Sequence, residues 1–148
     1  MKRFFAIFTI LSLCLTTLAQ NHTVLMKTQS DQGSMAFDPP VIFIKSGDSV
    51  SFSSPNGGGH HVKSISGPQG YKPWSSEFDQ DFTTTLYKPG VYFYICPPHL
   101  ALGMIGFIVV DDTANFQSIQ KSVQNQAKLI YANKERIKDY LDQVKSSS

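Results

Sequence analysis

The sequence lacks a hydrophobic run long enough to cross a membrane. Its longest apolar run, Phe4–Leu15, is shorter than the roughly 20 residues that a membrane-spanning helix needs. The basic pair Lys2-Arg3 precedes this run, and Thr17-Leu18-Ala19 follows it with small residues ahead of Gln20. This order is typical of a secretory signal peptide. The sequence therefore predicts a cleaved signal peptide over residues 1–19, in preference to an uncleaved anchor.

Cysteine is also scarce, because the chain has only Cys14 and Cys96. Cys14 lies within the predicted signal peptide, and Leu13 stands directly before it, where a lipidation signal would carry a small residue. After cleavage Cys96 is alone, so a disulfide within the chain is excluded. An odd cysteine in an exported protein is free, joined to another chain or bound to a ligand.

A basic cluster is missing as well. Lys and Arg number 13 against 11 Asp and Glu, but two of the basic residues lie in the signal peptide, so the mature chain carries no formal net charge. We expect no nucleic-acid partner, because no basic patch remains to recognise a polyanion. The 129 residues left after cleavage, 20–148, predict one globular domain that is soluble and monomeric.

Short β-type segments separated by turn residues fill most of the mature chain. Seven runs rich in Val, Ile, Phe, Tyr and Thr predict strands, and their number favours a sandwich or barrel. They are 24–27, 41–45, 49–53, 62–66, 82–86, 91–95 and 105–110. After Asp111 the apolar residues recur every three or four positions, which predicts two amphipathic helices, 116–130 and 137–144. We expect the helices to cover an apolar face of the sandwich; the alternative is a helix pair that binds a partner.

The segment Cys96-Pro97-Pro98-His99-Leu100-Ala101-Leu102-Gly103-Met104 concentrates a thiol, an imidazole and a thioether. Cys, His and a weak axial Met, with a second His, are the ligand set of an electron-transfer copper site. Each residue alone is more often structural, as a small buried thiol, a surface histidine or a core methionine. Their joint spacing in an exported β protein favours copper. The second histidine is then His22, His60 or His61, of which the pair after the glycine-rich turn is better placed.

Three motifs resemble the cupredoxins, the type 1 blue copper proteins, and most closely the pseudoazurins among them. They are Gly33–Pro40 with Gly47–Phe52, Gly59–Ile65, and Lys88–Phe93 continuing through Cys96–His99 to Gly103–Gly106. The resemblance covers nearly all of the mature chain. It implies an all-β, Greek-key cupredoxin β-sandwich with two C-terminal α-helices, which plastocyanins lack.

The resemblance also implies one type 1 copper ion held by His60, Cys96, His99 and Met104. The family places its first ligand directly after the glycine, which selects His60 over His61. Strand alternation agrees, since His60 would share a face with Val62. One departure from the family stands out. Its asparagine after the first ligand and its Ser or Thr after the cysteine are replaced here by His61 and Pro97, so the side-chain tie between them is lost.

By the same resemblance, the protein is not an enzyme but a periplasmic electron carrier that exchanges electrons through His99. Nitrite reductase, nitrous oxide reductase or a c-type cytochrome are the implied redox partners. The apolar patch implied around His99 comprises Met35, Pro98, Leu100 and Ala101, and the candidate basic rim comprises Lys27, Lys45, Lys72 and Lys88. The alternative for each lysine is an ordinary solvated side chain. Two other functions remain open: a periplasmic copper carrier or buffer without a dedicated redox partner, and a zinc-binding or purely structural module.

Overall fold

The computed structural model describes residues 18–31 and 33–146, so most of the predicted signal peptide lies outside the described residues. Within these residues, eight strands, a 3₁₀ helix and two α-helices follow one another. They are β1 (Asn21–Ser30), β2 (Gly33–Asp38), β3 (Val41–Ile44), β4 (Ser49–Ser53), β5 (Lys63–Ser66), β6 (Phe82–Thr85), β7 (Gly90–Ile95), the 3₁₀ helix (Pro97–Leu102), β8 (Ile105–Val110), α1 (Phe116–Ala127) and α2 (Glu135–Lys145). In the described part of the chain, no helix combines the length and apolar character needed to cross a membrane.

The strands form two four-stranded sheets, ordered β2-β1-β4-β6 and β3-β8-β7-β5. On both sheets, every second residue along a strand points inward. There the rings of Phe37 and Phe52 meet the ring of Tyr94 edge-on, at centroid distances of 4.8 and 5.1 Å. Such aromatic pairs add to the stability that their buried area provides. The result is the β-sandwich predicted from the sequence.

The two helices pack on the outer face of the second sheet, as predicted. Ile119 and Val123 of α1 and Tyr140 and Val144 of α2 form an apolar cluster with residues of β7 and β8. All six residues of β7 and all six of β8 are buried, because the sandwich core covers one face and the helices cover the other. An unbroken apolar run is the sequence signature of a strand covered on both sides.

All seven predicted strands are present, with ends that differ by up to three residues. The main difference is β2. The residue pattern alone did not predict this strand, whereas the resemblance to cupredoxins did. Its sequence, Gly33-Ser34-Met35-Ala36-Phe37-Asp38, shows little alternation, and Met35 adopts a positive φ of 48°. Pairing with β1 therefore maintains the strand, from Leu25–Asp38 to Ser30–Gly33.

Candidate metal centre

Three of the four predicted ligands converge at one end of the sandwich. One donor atom from each of His60, Cys96 and His99 lies within 4.8 Å of the others. His60 follows the glycine-rich turn before β5, whereas Cys96 and His99 lie in the loop between β7 and β8. Residues far apart in sequence are thus brought together by the packing of the two sheets.

The β7–β8 loop is short and internally bonded. Its ends are held by the antiparallel pair Ile95–Ile105, and the N–H of Cys96 donates to the carbonyl of Met104 at 3.0 Å. The 3₁₀ helix begins with two prolines, whose fixed φ suits a helix start, and ends at Gly103 with a φ of 77°. Met104, the last residue of this loop, is fully buried. The fourth predicted ligand is therefore at the same end of the molecule.

His60 carries an unpartnered nitrogen. Its ring is completely buried, Nε2 lies 3.3 Å from the Thr28 hydroxyl, and Nδ1 has no hydrogen-bond partner among the described residues. Burial lowers the pKa of His60, so the ring is held neutral with a lone pair to offer. An orphaned buried nitrogen beside a thiol and a second imidazole fits a copper ion, whose preferred ligands are imidazole and thiolate.

Cys96 is buried as a thiol rather than a thiolate when no metal is present. Burial raises its pKa to about 11, although the backbone N–H of His61 donates to Sγ at 3.5 Å and favours the charged form. A metal cation reverses this preference, because a coordinating thiol is deprotonated. The backbone N–H groups of His61 and His99 thus both favour the thiolate, although burial outweighs them.

Asp79 fixes the turn that presents His60. Its two carboxylate oxygens accept the backbone N–H groups of Gly59 and His60, both at 2.9 Å, while its own N–H donates to the carbonyl of His60. The hydrogen bond from His60 is the main cause of a lowered pKa for Asp79, which is a carboxylate at neutral pH. The loop after β5 thereby supports a ligand that belongs to another segment.

His61 points away from the buried donors. Its Nε2 lies 2.7 Å from the hydroxyl of Ser75, and its ring is 5.1 Å from that of Phe78. The side-chain tie lost with the asparagine is thus replaced by a tie to the segment before β6. His60, unlike His61, thus lies among the converging donors, and its role as the ligand stays a prediction.

Comparison with known proteins identifies the family. Residues 24–111 match the model of the copper-binding proteins of the plastocyanin/azurin family. The chain belongs to this family of copper proteins. Its members, the cupredoxins, include the pseudoazurin of Paracoccus pantotrophus, which is 30% identical over 137 residues, 91% of each chain. The pseudoazurin of Methylorubrum extorquens is 34% identical over 113 residues, 75% of this chain and 76% of the relative.

Solved structures agree with the sequence relatives. The crystal structure of pseudoazurin from Methylobacterium extorquens matches with a TM-score of 0.71 and 28% identity, over 86% of this chain and 99% of that one. The match supports the cupredoxin fold with its two C-terminal helices. The protein is accordingly a cupredoxin, an electron carrier rather than an enzyme, whose cofactor is one type 1 copper ion.

The surface around His99 differs in part from the prediction. His99 is partly exposed, and Pro98 and Ala101 beside it are exposed as predicted. Leu100, however, is only 7% exposed and belongs to the core under the helices, whereas Leu102 is 37% exposed. The 3₁₀ helix turns Leu100 inward. Leu102 therefore replaces it in the exposed apolar patch of this cupredoxin.

The predicted basic rim is wrong for three of its four lysines. Lys45 directly follows Ile44, and Lys88 lies two residues before Gly90. Ile44 and Gly90 both pair with Val110, at the end of the sheet opposite the Ile95–Ile105 pair. Five residues of strand separate the two ends, about 17 Å. Lys72 shares a groove with Lys88. Lys27 forms an ion pair with Asp38. For Lys45, Lys72 and Lys88 the alternative therefore holds, and they are ordinary surface lysines.

Sequence reasoning did not single out Arg136, which is 4% exposed within α2. Its guanidinium donates to the carbonyls of Ser34 at 2.9 Å, Met35 at 2.8 Å and Gly103 at 3.2 Å. A signal was available, because Arg136 lies four residues before Tyr140 and eight before Val144, on the buried stripe of the helix. A charge on such a stripe needs partners, and β2 and the β7–β8 loop provide them.

Proposed function

We propose that His60, Cys96, His99 and Met104 hold the copper ion and that the protein carries single electrons between redox proteins in the periplasm. The carrying observation is that one donor atom from each of His60, Cys96 and His99 lies within 4.8 Å of the others. The bound ion supplies the Cu(II)/Cu(I) couple. The protein supplies three buried ligands, His60, Cys96 and Met104, and the partly exposed His99.

Several features of the chain favour electron transfer. The four proposed ligands come from the sandwich core and from a loop braced by backbone hydrogen bonds, so a change of oxidation state requires little movement of the protein. His99 alone among them is partly exposed, beside the exposed Pro98, Ala101 and Leu102. Its exposed edge is the proposed route for the electron. A small apolar contact of this kind suits the brief encounters of redox proteins.

The periplasmic location and the partners are also part of the proposal. The predicted signal peptide over residues 1–19 supports export. The resemblance to pseudoazurins supports a nitrite reductase, a nitrous oxide reductase or a c-type cytochrome as the partner. The alternative is a periplasmic copper carrier or buffer, which would release its ion readily to an acceptor.

Copper addition to the mature chain tests the proposal. We expect an intense visible thiolate-to-copper absorption band that Cys96→Ser abolishes, together with fast, reversible electron exchange with a c-type cytochrome. A colourless copper complex would overturn the ligand assignment. Slow electron exchange combined with rapid copper transfer to a metal-free acceptor would favour the carrier.

A further inference from the structure

A cluster of hydrogen-bonded polar groups lies at the start of β1. The backbone nitrogen of Gln20 is 2.8 Å from Oδ1 of Asp48, and Nε2 of His22 is 3.0 Å from Oδ2 of the same carboxylate. The carbonyl of Gln20 accepts the N–H of Ser49 at 2.8 Å. Gln20 is thus the point at which the chain enters the folded domain, while Leu18 before it is 85% exposed.

Asp48 is a buried anion aimed at this segment. The residue is 4% exposed, and the N–H groups of Gln20 and Lys45 are the main causes that lower its pKa to about 2. Its carboxylate is therefore charged at neutral pH. It faces a nitrogen that is a neutral amide in the uncleaved chain and would become a terminal amine after cleavage between Ala19 and Gln20.

We infer that cleavage before Gln20 creates a second Cu(II) site at the new N-terminus. Its donors are the terminal amine of Gln20, the amide nitrogens of Asn21 and His22, and Nδ1 of His22. Histidine as the third residue of a chain closes three fused chelate rings around one ion, and the two amides lose their protons on binding. Tetragonal nitrogen ligation of this kind suits Cu(II) and Ni(II). The inference rests on the proposed signal-peptide cleavage and is independent of the type 1 copper site.

The structure favours this mode of binding in two ways. First, Asp48 already holds Nε2 of His22, which leaves Nδ1 as the free ring nitrogen, and a carboxylate on the second ring nitrogen is the usual support of a metal-binding histidine. Second, a cavity of about 310 Å³, lined in part by Gln20, His22 and Asp48, adjoins the segment. The ion requires the nitrogen of Gln20 to leave Oδ1 of Asp48 and residues 21–22 to leave their pairing with β4. β1 keeps its pairs from Thr23 onward, and the contact of Asp48 with Nε2 of His22 is the one that this binding mode retains.

The new site is remote from the type 1 centre. Thr28, which contacts His60, lies six residues along β1 from His22, about 20 Å in an extended strand. The two ions would therefore load separately. Spectroscopy distinguishes the two copper ions, because their ligand sets differ.

The test uses the mature chain, residues 20–148, carrying Cys96→Ser to remove the thiolate site. Cu(II) alone is titrated, with absorption, circular dichroism and electron paramagnetic resonance as readouts. We expect one equivalent to bind with the weak visible band and four-nitrogen spectrum of a square-planar site. Loss of a direct ligand should exceed the 10- to 100-fold effect of losing an outer partner, so His22→Gln should weaken binding by more than about 100-fold. Asp48→Asn should weaken it by about 10-fold.

A glycine inserted before Gln20 is the matched control, because it retains every residue and moves His22 to the fourth position. We expect it to abolish the four-nitrogen spectrum. Unchanged Cu(II) binding in this control or in His22→Gln overturns the inference. So does exported protein whose terminal Gln20 has cyclised with loss of ammonia, or whose chain begins at another residue. Failure of the type 1 site would appear separately, as a missing intense band in the protein that retains Cys96.

Discussion

Nη1 of Arg136 donates a hydrogen bond to the carbonyl oxygen of Gly103, at 3.2 Å. This contact joins α2 to the residue directly before the proposed axial ligand, Met104. The same guanidinium binds the carbonyls of Ser34 and Met35 in β2. One buried side chain therefore connects the helix pair, the first sheet and the β7–β8 loop. The C-terminal helices thus brace the copper site as well as covering the sheet.

Replacement of Arg136 by Met should therefore affect both stability and copper. Carbonyls that lose a charged donor remain buried, and we expect the free energy of unfolding to fall by about 2–4 kcal/mol. The midpoint potential should also change, because the loop that positions Met104 loses a support. Lys138→Met, on the exposed face of the same helix, is the control; it removes only the exposed ion pair with Asp142, so it should lower stability far less than Arg136→Met does and leave the potential unchanged. Equal effects of the two variants in denaturant titration and voltammetry would contradict the bracing role.

Gly103 offers a second test of the same loop. Its φ is 77°, and an added Cβ would lie 2.9 Å from the carbonyl oxygen of Ala132 in the connection between the helices. Gly47 has a φ of 94° with nothing within 4 Å of an added Cβ, so Gly47→Ala measures backbone strain alone. We expect that strain to cost about 1–2 kcal/mol. Gly103→Ala should cost about 1–3 kcal/mol more, because it also overpacks the helix connection. Thermal unfolding of both copper-free proteins checks the difference, which should vanish if the helix connection is free to move.

Asp79→Asn tests the carboxylate that holds the His60 turn. Asparagine tolerates the positive φ of 52° at this position, so the backbone is preserved while the charge and one acceptor are lost. We expect weaker copper binding and a higher midpoint potential, because a nearby negative charge favours Cu(II) over Cu(I). Asp81→Asn, in the same loop, is the control. A potential that moves equally in both variants would assign the effect to overall charge rather than to the clamp.

The choice between the adjacent histidines can be decided by truncation. His60→Gly removes the buried ring with the unpartnered Nδ1 and should abolish the intense visible band. His61→Gly removes a ring bonded to Ser75 and should retain the band, with a modest shift in its position. Absorption spectra of the two copper-loaded variants give the answer. The opposite pattern would make His61 the ligand.

The contacts that sequence reasoning captured were local ones. Alternating Val, Ile, Phe and Tyr residues predicted seven strands, and the spacing of Cys96, His99 and Met104 predicted the metal-binding β7–β8 loop. Both patterns involve only residues that are close together in the sequence. The position of Leu100 and Leu102 was missed because a 3₁₀ turn, not a simple extended loop, decides which of them faces the core. The bonds of Asp79 and Arg136 span 19 residues to His60 and 33 to Gly103, and only the folded chain shows such pairings.

The complete burial of Cys96 has a consequence for the protein before it acquires its ion. In the proposed periplasmic location the protein would meet oxidants, and an accessible thiolate passes readily to sulfenic and then to irreversible sulfinic and sulfonic acids. The side chain of Cys96 has no exposed surface, and its raised pKa keeps it in the unreactive thiol form. We therefore expect the packing that shapes the copper site also to slow oxidation of Cys96 and the formation of covalent dimers in the copper-free protein.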